Sequence, residues 1–405
     1  MGRSNRFRRD LSASFIVFLV ALPLCLGIAI ASGAPPERGL ITGIIGGILA
    51  GRLAGSPLSV SGPAAGLTTL VFELISRHGL AALGPIVLLA GALQVLGGIA
   101  RIGAYVRMIP AAIVEGMLAA IGLILVASQL HVMLDTAPAA GFLPNVRHFP
   151  GMIANGNYVA LGIGLFTIAA MLGWERLRPA ALREIPGALL AVAVATAAAA
   201  LLGLHIARIA LPGSFAGAVS LMRPAQLSEL ASPGLLAAAV SVALIASVES
   251  LLSAAAVDRM LPRRKTDYSQ ELIAQGFGNM ACGLTGALPM TGVIVRSAAN
   301  VHAGARTRMS AVLHGVWLLA LVVLAPGLLR LVPTASLAGL LVVVGARLAN
   351  LHHFRALVRD GARTMSVYAT TLGVILCTNL LTGVLAGLAL YIALRSLPSL
   401  IRRTI

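Results

Sequence analysis

The chain has 405 residues, 58% of them hydrophobic and 11% charged, with a mean hydropathy of +0.95. A soluble domain sits nearer half apolar and a quarter charged, so most of this chain belongs in a bilayer. The net charge of +17 comes from 29 Arg and one Lys. With 4% aromatic residues and no soluble basic segment, it argues against a nucleic-acid partner and reads as a topology signal.

The first ten residues are Arg-rich and precede the apolar run 11–31. Ala29-Ile30-Ala31 resembles a signal-peptidase site, but the run is long enough to span and many others follow it, so it reads as a first transmembrane helix. Fourteen apolar segments follow in chain order, at 11–31, 39–55, 57–76, 81–100, 108–130, 155–173, 186–204, 233–257, 270–287, 288–303, 309–330, 333–350, 364–379 and 380–398. Cys25, Cys282 and Cys377 fall in apolar segments with no metal or redox spacing and read as small buried hydrophobes. The eight His form no metal-binding or catalytic pattern, so neither an enzyme nor a cofactor is expected.

With the N-terminus cytoplasmic, Arg38, Arg77, Arg147, Arg208, Arg223 and Arg330 fall outside, Arg296 falls within a span, and the other 23 basic residues fall inside. That bias predicts an even number of spans in the cell (inner) membrane, with both termini cytoplasmic. Two offsets reveal internal similarity. A shift of 232 pairs Gly46 with Gly278, Gly51 with Gly283, Pro57 with Pro289 and Ser59 with Thr291; a shift of 223 pairs Pro110 with Pro333, Gly116 with Gly339 and Gly122 with Gly345. Together they match the second span to the ninth and the fifth to the twelfth. The expected fold is an all-α polytopic membrane protein of seven plus seven inverted spans, an arrangement typical of transporters. Its repeats would cover 1–205 and 233–398, followed by a short cytoplasmic tail at 399–405.

In the second span Gly43, Gly47, Gly51 and Gly55 are four apart, a stripe that lets another helix approach closely. The repeat mate carries Gln275, Asn279, Gly283 and Ala287, so one copy is more polar.

The third span breaks. Leu58-Ser59-Val60-Ser61 alternates like a strand, Gly62-Pro63 interrupts it, and a helix is expected to start with Pro63 at its first position. The N–H groups of Ala64, Ala65 and Gly66 would then be free. The tenth span breaks in the same way at Pro289-Met290-Thr291-Gly292-Val293. In lipid such backbone survives only within protein or beside a watery cavity. Two helix N-termini facing one cavity would hold a small anion without a full-charge side chain.

Charged residues inside spans are costly, at ~2.5–3.5 kcal/mol for Asp, Lys or Arg at a helix centre. Arg296, one turn into the tenth span, either adds positive charge to the same cavity or snorkels to the headgroups. Glu249 sits mid-way in the eighth span, on one helical face with Ser241 and Ser253. It can bind a coupling cation, carry a proton, or pair statically with Arg296. Glu115 and Glu73 are weaker candidates, and Asp258 is expected to be solvated.

The segments VALPLCLGIAIASGAPPERGLITGIIGG, LSVSGPAAGL, SVESLLSAAAVDRM and PMTGVIVRSAANVHAGARTRMSAVLHG together resemble the SulP anion transporter family over nearly the whole chain. The resemblance implies fourteen spans in a seven-plus-seven fold. Short strands would lead into half-helices at spans 3 and 10, and anions would bind between the two N-termini. It places Gly62, Pro63 and Ala64, flanked by Ser61 and Ala65, at the third-span site. Gly292, Val293 and Ile294, with Thr291, fall at the tenth-span site, and Arg296 matches the family's frequent tenth-span Arg. Glu249 and Ser253 match positions that help bind sodium in sodium-dependent bicarbonate members, which points to a Na+ site at Glu249, Ser253 and Gly292. Those members carry Thr at the positions of Ala64 and Ile294, so two hydroxyl ligands are missing. The STAS domain that follows the last span in most members is not expected, and a homodimer is left open. The expected function is secondary active transport of a small inorganic anion, of the sulfate or bicarbonate class, coupled to H+ or Na+. The alternatives are an uncoupled anion channel or exchanger and, lower, a nucleobase:proton symporter.

Overall fold

Helix ends fall where the sequence offers Gly, Pro or a capping side chain. The computed structural model describes residues 3–103, 110–179, 182, 185–211, 217, 219–223, 232–261, 265–349 and 361–401. Helix α1 (Arg3–Ala31) closes before Gly33, whose φ of +68° suits a residue without a side chain. Helix α2 (Pro36–Ile45) begins with Pro at its first position, passes through a π-helical turn at Gly46–Ala50, and finishes as α3 (Gly51–Leu53). Strand β1 (Ser61–Pro63) and a 3-10 turn (Ala65–Leu67) lead into α4 (Thr68–His78). Then come α5 (Leu83–Ile99), α6 (Ala111–Met133), α7 (Phe142–Asn155), α8 (Tyr158–Leu177) and α9 (Gly187–Leu201).

The second half opens with α10 (Pro233–Met260), where the Ser232 hydroxyl accepts from Leu235 N–H and Pro233 needs no acceptor. Helix α11 (Tyr268–Leu284) is capped by Asp267, which accepts from the N–H groups of Ser269 and Gln270. Strand β2 (Met290–Gly292) leads into α12 (Ile294–His302). Helices α13 (Met309–Leu324), α14 (Pro326–Arg330), α15 (Thr334–Leu348), α16 (Ala362–Cys377) and α17 (Leu380–Ile401) complete the described chain.

Among the described residues five helices are long and apolar enough to cross a membrane: Arg6–Ala31, Leu80–Ile99, Ala111–Met133, Tyr158–Leu177 and Pro233–Met260. Shorter apolar helices lie at other expected segments. The tail expected at 399–405 lies outside the described residues from 402 onward, as do Arg107, Arg183, Arg263, Arg264, Arg355 and Arg359 of the sidedness argument. Three features differ from expectation. Helix α7 occupies a stretch with no apolar run, and its buried Asn145 ties down the preceding loop through Ala139 and Gly141. Cys377, at the end of α16, is exposed, whereas Cys25 and Cys282 are buried. Asp258 is not simply solvated: it accepts from Thr266 and from the Tyr268 hydroxyl, pinning the link between α10 and α11.

Glycine contacts set the packing. A Cβ on Gly43 would stand 2.7 Å from Cys25 Sγ, one on Gly47 2.7 Å from Gly315 Cα, and one on Gly51 3.0 Å from Ala311 Cβ. The Gly stripe thus seats α2 and α3 against α1 and α13, without the side-chain layer that usually separates helices. Helices α5 and α11 cross by reciprocal pairs: a Cβ on Gly91 would meet Gly276 O at 2.6 Å, and one on Gly276 would meet Gly91 O at 2.7 Å. Gly122 and Gly345, equivalent under the shift of 223, also pack reciprocally between α6 and α15. Because backbone opposes backbone at Gly276, Gly276→Ala is expected to cost about 1–3 kcal/mol by forcing α5 and α11 apart. A thermal melt in detergent checks this; a Tm equal to that of the native protein would contradict it.

Candidate anion-binding site

Both chain breaks meet at one place. Strands β1 and β2 pair antiparallel, with Ser61 opposite Gly292, Gly62 opposite Thr291 and Pro63 opposite Met290. Val293 N–H extends the ladder to Val60 O at 2.9 Å. A two-stranded ribbon this short leaves most of its outer hydrogen-bonding groups unpaired, and in a membrane protein each must find a partner. The neighbouring helices supply them. Asn279 of α11 clamps Met290 at both ends: its Oδ1 accepts from Met290 N–H at 2.7 Å, and its Nδ2 donates to Met290 O at 3.0 Å. Nδ2 also reaches Gln94 of α5 at 2.7 Å. Gln275, one turn earlier, donates to Ser61 Oγ at 2.7 Å and to Glu271 Oε1 at 2.9 Å. Glu271 in turn accepts from Ser56 N–H at 2.9 Å. On the other edge Ser250 Oγ accepts from Gly292 N–H at 3.0 Å, Ser297 Oγ from Val60 N–H at 2.9 Å, and Asn300 donates to Leu58 O at 3.1 Å.

The polar stripe on α11 is therefore the scaffold of the broken segments. Gln275 and Asn279 were visible as polar positions; Glu271, Gln94, Ser250, Ser297 and Asn300 were not singled out, although Glu271 continues the same four-residue spacing. Asn279→Ala strands both polar groups of Met290 in the interior. The expected loss is about 2–4 kcal/mol, from two unsatisfied backbone groups at roughly 1–3 kcal/mol each with partial relaxation. A Tm fall of that size in Asn279→Ala, with a smaller one in Asn279→Asp, which keeps the acceptor, is the check.

The helix starts lie later than the sequence suggested. Pro63 ends β1 instead of opening a helix, because the ladder position opposite Met290 needs no donor once Asn279 serves Met290 O. Ala64 is extended (φ −113°, ψ 137°), and the 3-10 turn begins at Ala65. On the other side Val293 is extended (φ −110°, ψ 117°), and α12 begins at Ile294. The N–H groups of Ala65 and Gly66, and of Ile294 and Val295, thus belong to first turns that lack intrahelical acceptors. Side chains there are small or turned outward: Ala65 is half-buried, and Ile294 and Val295 are 43% and 54% exposed. Such helix ends can receive an anion.

Glu249 of α10 is half-buried and touches both broken segments. Its Oε1 packs directly on Gly66, in the space a Cβ would occupy, and its carboxylate lies within hydrogen-bonding reach of the Thr291 hydroxyl. It makes no ion pair with Arg296. Arg296 does not snorkel either: it is 0% exposed, with Nη1 against Gly62 and Nη2 donating to Pro63 O at 3.4 Å. Its Nε and Nη1 have no hydrogen-bond partner among the described residues. The guanidinium lies against Gly62, within electrostatic reach of Cys25 and of the buried His314. Ser253 Oγ and Ser59 Oγ are buried without hydrogen-bond partners among the described residues. Gly292 N–H is taken by Ser250, and Gly292 O accepts from the Thr291 hydroxyl at 3.3 Å. Of the weaker acidic candidates, Glu73 pairs with exposed Arg77 at 2.7 Å, and Glu115 lies near Tyr368, away from the strands.

Comparison with known proteins identifies the family. The sulfate permease family pattern matches residues 7–371. A putative sulfate transporter of Bacillus subtilis, YvdB, is 33% identical over 394 residues, covering 95% of this chain and 73% of that protein. The bicarbonate transporter BicA of Picosynechococcus is 28% identical over 84% of this chain and 62% of its own length. The solved transmembrane domain of a cyanobacterial BicA superposes with a TM-score of 0.81 at 25% identity, covering 96% of this chain and 98% of that domain. SLC26A9 superposes with a TM-score of 0.83 at 16% identity, covering 97% of this chain and 66% of the other. The chain belongs to the sulfate permease (SulP) family, a family of membrane transporters and not of enzymes.

Proposed function

We propose that the protein is a secondary active transporter of a small inorganic anion of the sulfate or bicarbonate class. The anion is held between the first turns that follow β1 and β2. One observation carries this reading: two helix N-termini, each at an internal break, are brought together by a strand pair, and a carboxylate lies on the turn after β1 and beside Thr291 of β2. The N–H groups supply partial positive charge, buried Arg296 adds a full charge beside Gly62, and neither needs to form a fixed ion pair with substrate.

Glu249 is the coupling residue, and the proton is its ion. A sodium site at Glu249, Ser253 and Gly292 is less well supplied, since Ala64 and Ile294 bring no hydroxyl and the Gly292 carbonyl already accepts from the Thr291 hydroxyl. The chain is read as fourteen spans in two inverted repeats, 1–205 and 233–398. The antiparallel β1–β2 pair is the contact that a two-fold axis between such repeats would make. Spans 1–4 and 8–11 move against spans 5–7 and 12–14 to give alternating access, in the cell membrane with both termini cytoplasmic.

The test is reconstitution in liposomes with labelled sulfate and bicarbonate, with and without an inward proton or sodium gradient. Accumulation against the anion gradient, driven by protons, is expected. Conductance in voltage clamp with no accumulation of either anion would overturn the transporter reading, and sodium-driven accumulation would overturn the choice of proton.

A further inference from the structure

An anion transporter with a carboxylate lying on its own anion seat raises a question of occupancy. Glu249 Oε1 fills the volume beside Gly66 that a methyl group would need, and the same carboxylate reaches Thr291 across the seat. Among the described residues it forms no ion pair: Arg296 is engaged with Pro63 O and Gly62. Gly66 belongs to the first turn, whose free N–H groups are the proposed ligands. We propose that the Glu249 side chain is a tethered occupant of the anion seat, so that substrate and carboxylate exclude one another beside Gly66. This rests on the transporter reading above and adds to it a specific order of events. The anion enters only when the side chain has swung off Gly66, and the side chain returns when the anion leaves. Gly66 is then a positioning residue: it has no side chain so that the carboxylate can dock.

Two features favour docking over a purely structural carboxylate. A static intramembrane Glu ordinarily pairs with a cation or lies in a closed hydrogen-bond network, as Glu271 does with Ser56 and Gln275. Glu249 instead remains half-buried, with one hydroxyl in reach. One turn further along α10, Ser253 Oγ is buried and has no hydrogen-bond partner among the described residues.

Binding of labelled sulfate to purified protein in detergent, with bicarbonate as competitor, tests the exclusion. Glu249→Ala is expected to bind roughly tenfold tighter than the native protein, because a like charge leaves the seat. Glu249→Gln, which keeps the bulk, should fall between the two. If Glu249→Ala binds no tighter, or Glu249→Gln binds as tightly as Glu249→Ala, occupancy by the side chain is refuted while native binding leaves the transporter reading intact. If neither the native protein nor the variants bind either anion, the transporter reading fails and takes this inference with it.

A second measurement does not depend on Glu249→Ala folding well. Gly66→Ala should lower Tm in the native protein, where the methyl displaces the carboxylate. It should lower Tm much less in Glu249→Asp, which keeps the charge but withdraws it by one methylene. Equal Tm losses in the two backgrounds would overturn the docking contact.

Discussion

Glu249→Gln is expected to abolish uphill accumulation while leaving anion exchange down a gradient. One pH unit is worth 1.36 kcal/mol, so a single proton carried per sulfate ion supports an inside-to-outside ratio of about ten per unit at zero membrane potential. The Gln variant keeps the side chain's shape and cannot exchange a proton, so the ratio should fall to about one. The effect follows from position. Glu249 contacts the turn after β1 and the Thr291 hydroxyl of β2 together, so its protonation state bears on both halves of the seat. Uptake into liposomes across an imposed pH step reads the ratio directly. Accumulation that persists in Glu249→Gln would remove Glu249 from the coupling step.

Arg296→Met is expected to fold and to lose anion affinity. Losing one member of a buried ion pair usually leaves its partner uncompensated, at roughly 3–5 kcal/mol. Arg296 has no carboxylate partner to strand: its contacts are Pro63 O at 3.4 Å and the face of Gly62, and its Nε and Nη1 are unmatched. An apolar side chain of similar length should therefore be neutral or stabilising to the fold. Function is another matter. At an effective dielectric of about 20, a unit charge at roughly 8 Å is worth about 2 kcal/mol, or about 30-fold in affinity. A KM for anion raised by that order, with a Tm equal to or above the native value, is the expected pair of readings. A lowered Tm with an unchanged KM would make Arg296 a structural residue.

The sequence made some of this legible, and the reasons are local. Pro and Gly inside apolar runs mark where a helix cannot continue, and the shift of 232 places Pro57 and Ser59 opposite Pro289 and Thr291, which led to the two breaks that form β1 and β2. The Gly stripe of the second span likewise announced close packing, because a row of missing side chains has few other uses in lipid. What stayed hidden depends on partners far along the chain. Pro63 looked like a helix start; it ends a strand instead, at a ladder position where Met290 turns both its N–H and its O to Asn279 and asks no donor of Pro63. The polar face of α11 was visible as polarity, but its role as a clamp needed Ser61, 214 residues away from Gln275. The direction of Arg296 was open between cavity and headgroup, and the structure buries the side chain against Gly62 and Pro63, away from the headgroups. The docking of Glu249 on Gly66 had no sequence signal, since a glycine next to Pro63-Ala64-Ala65 reads as helix-start chemistry alone. Helix α7 escaped because an amphipathic segment with an internal Pro gives no spanning run.

The central claim is that the anion sits between the first turns after β1 and β2. Selenate, an anomalous scatterer with the shape and charge of sulfate, locates it directly in crystals of the native protein or of Glu249→Gln. A single anomalous peak within hydrogen-bonding distance of the N–H groups of Ala65 or Gly66 and of Ile294 or Val295 is predicted. A peak bound elsewhere, with these N–H groups left empty at saturating selenate, would contradict the account.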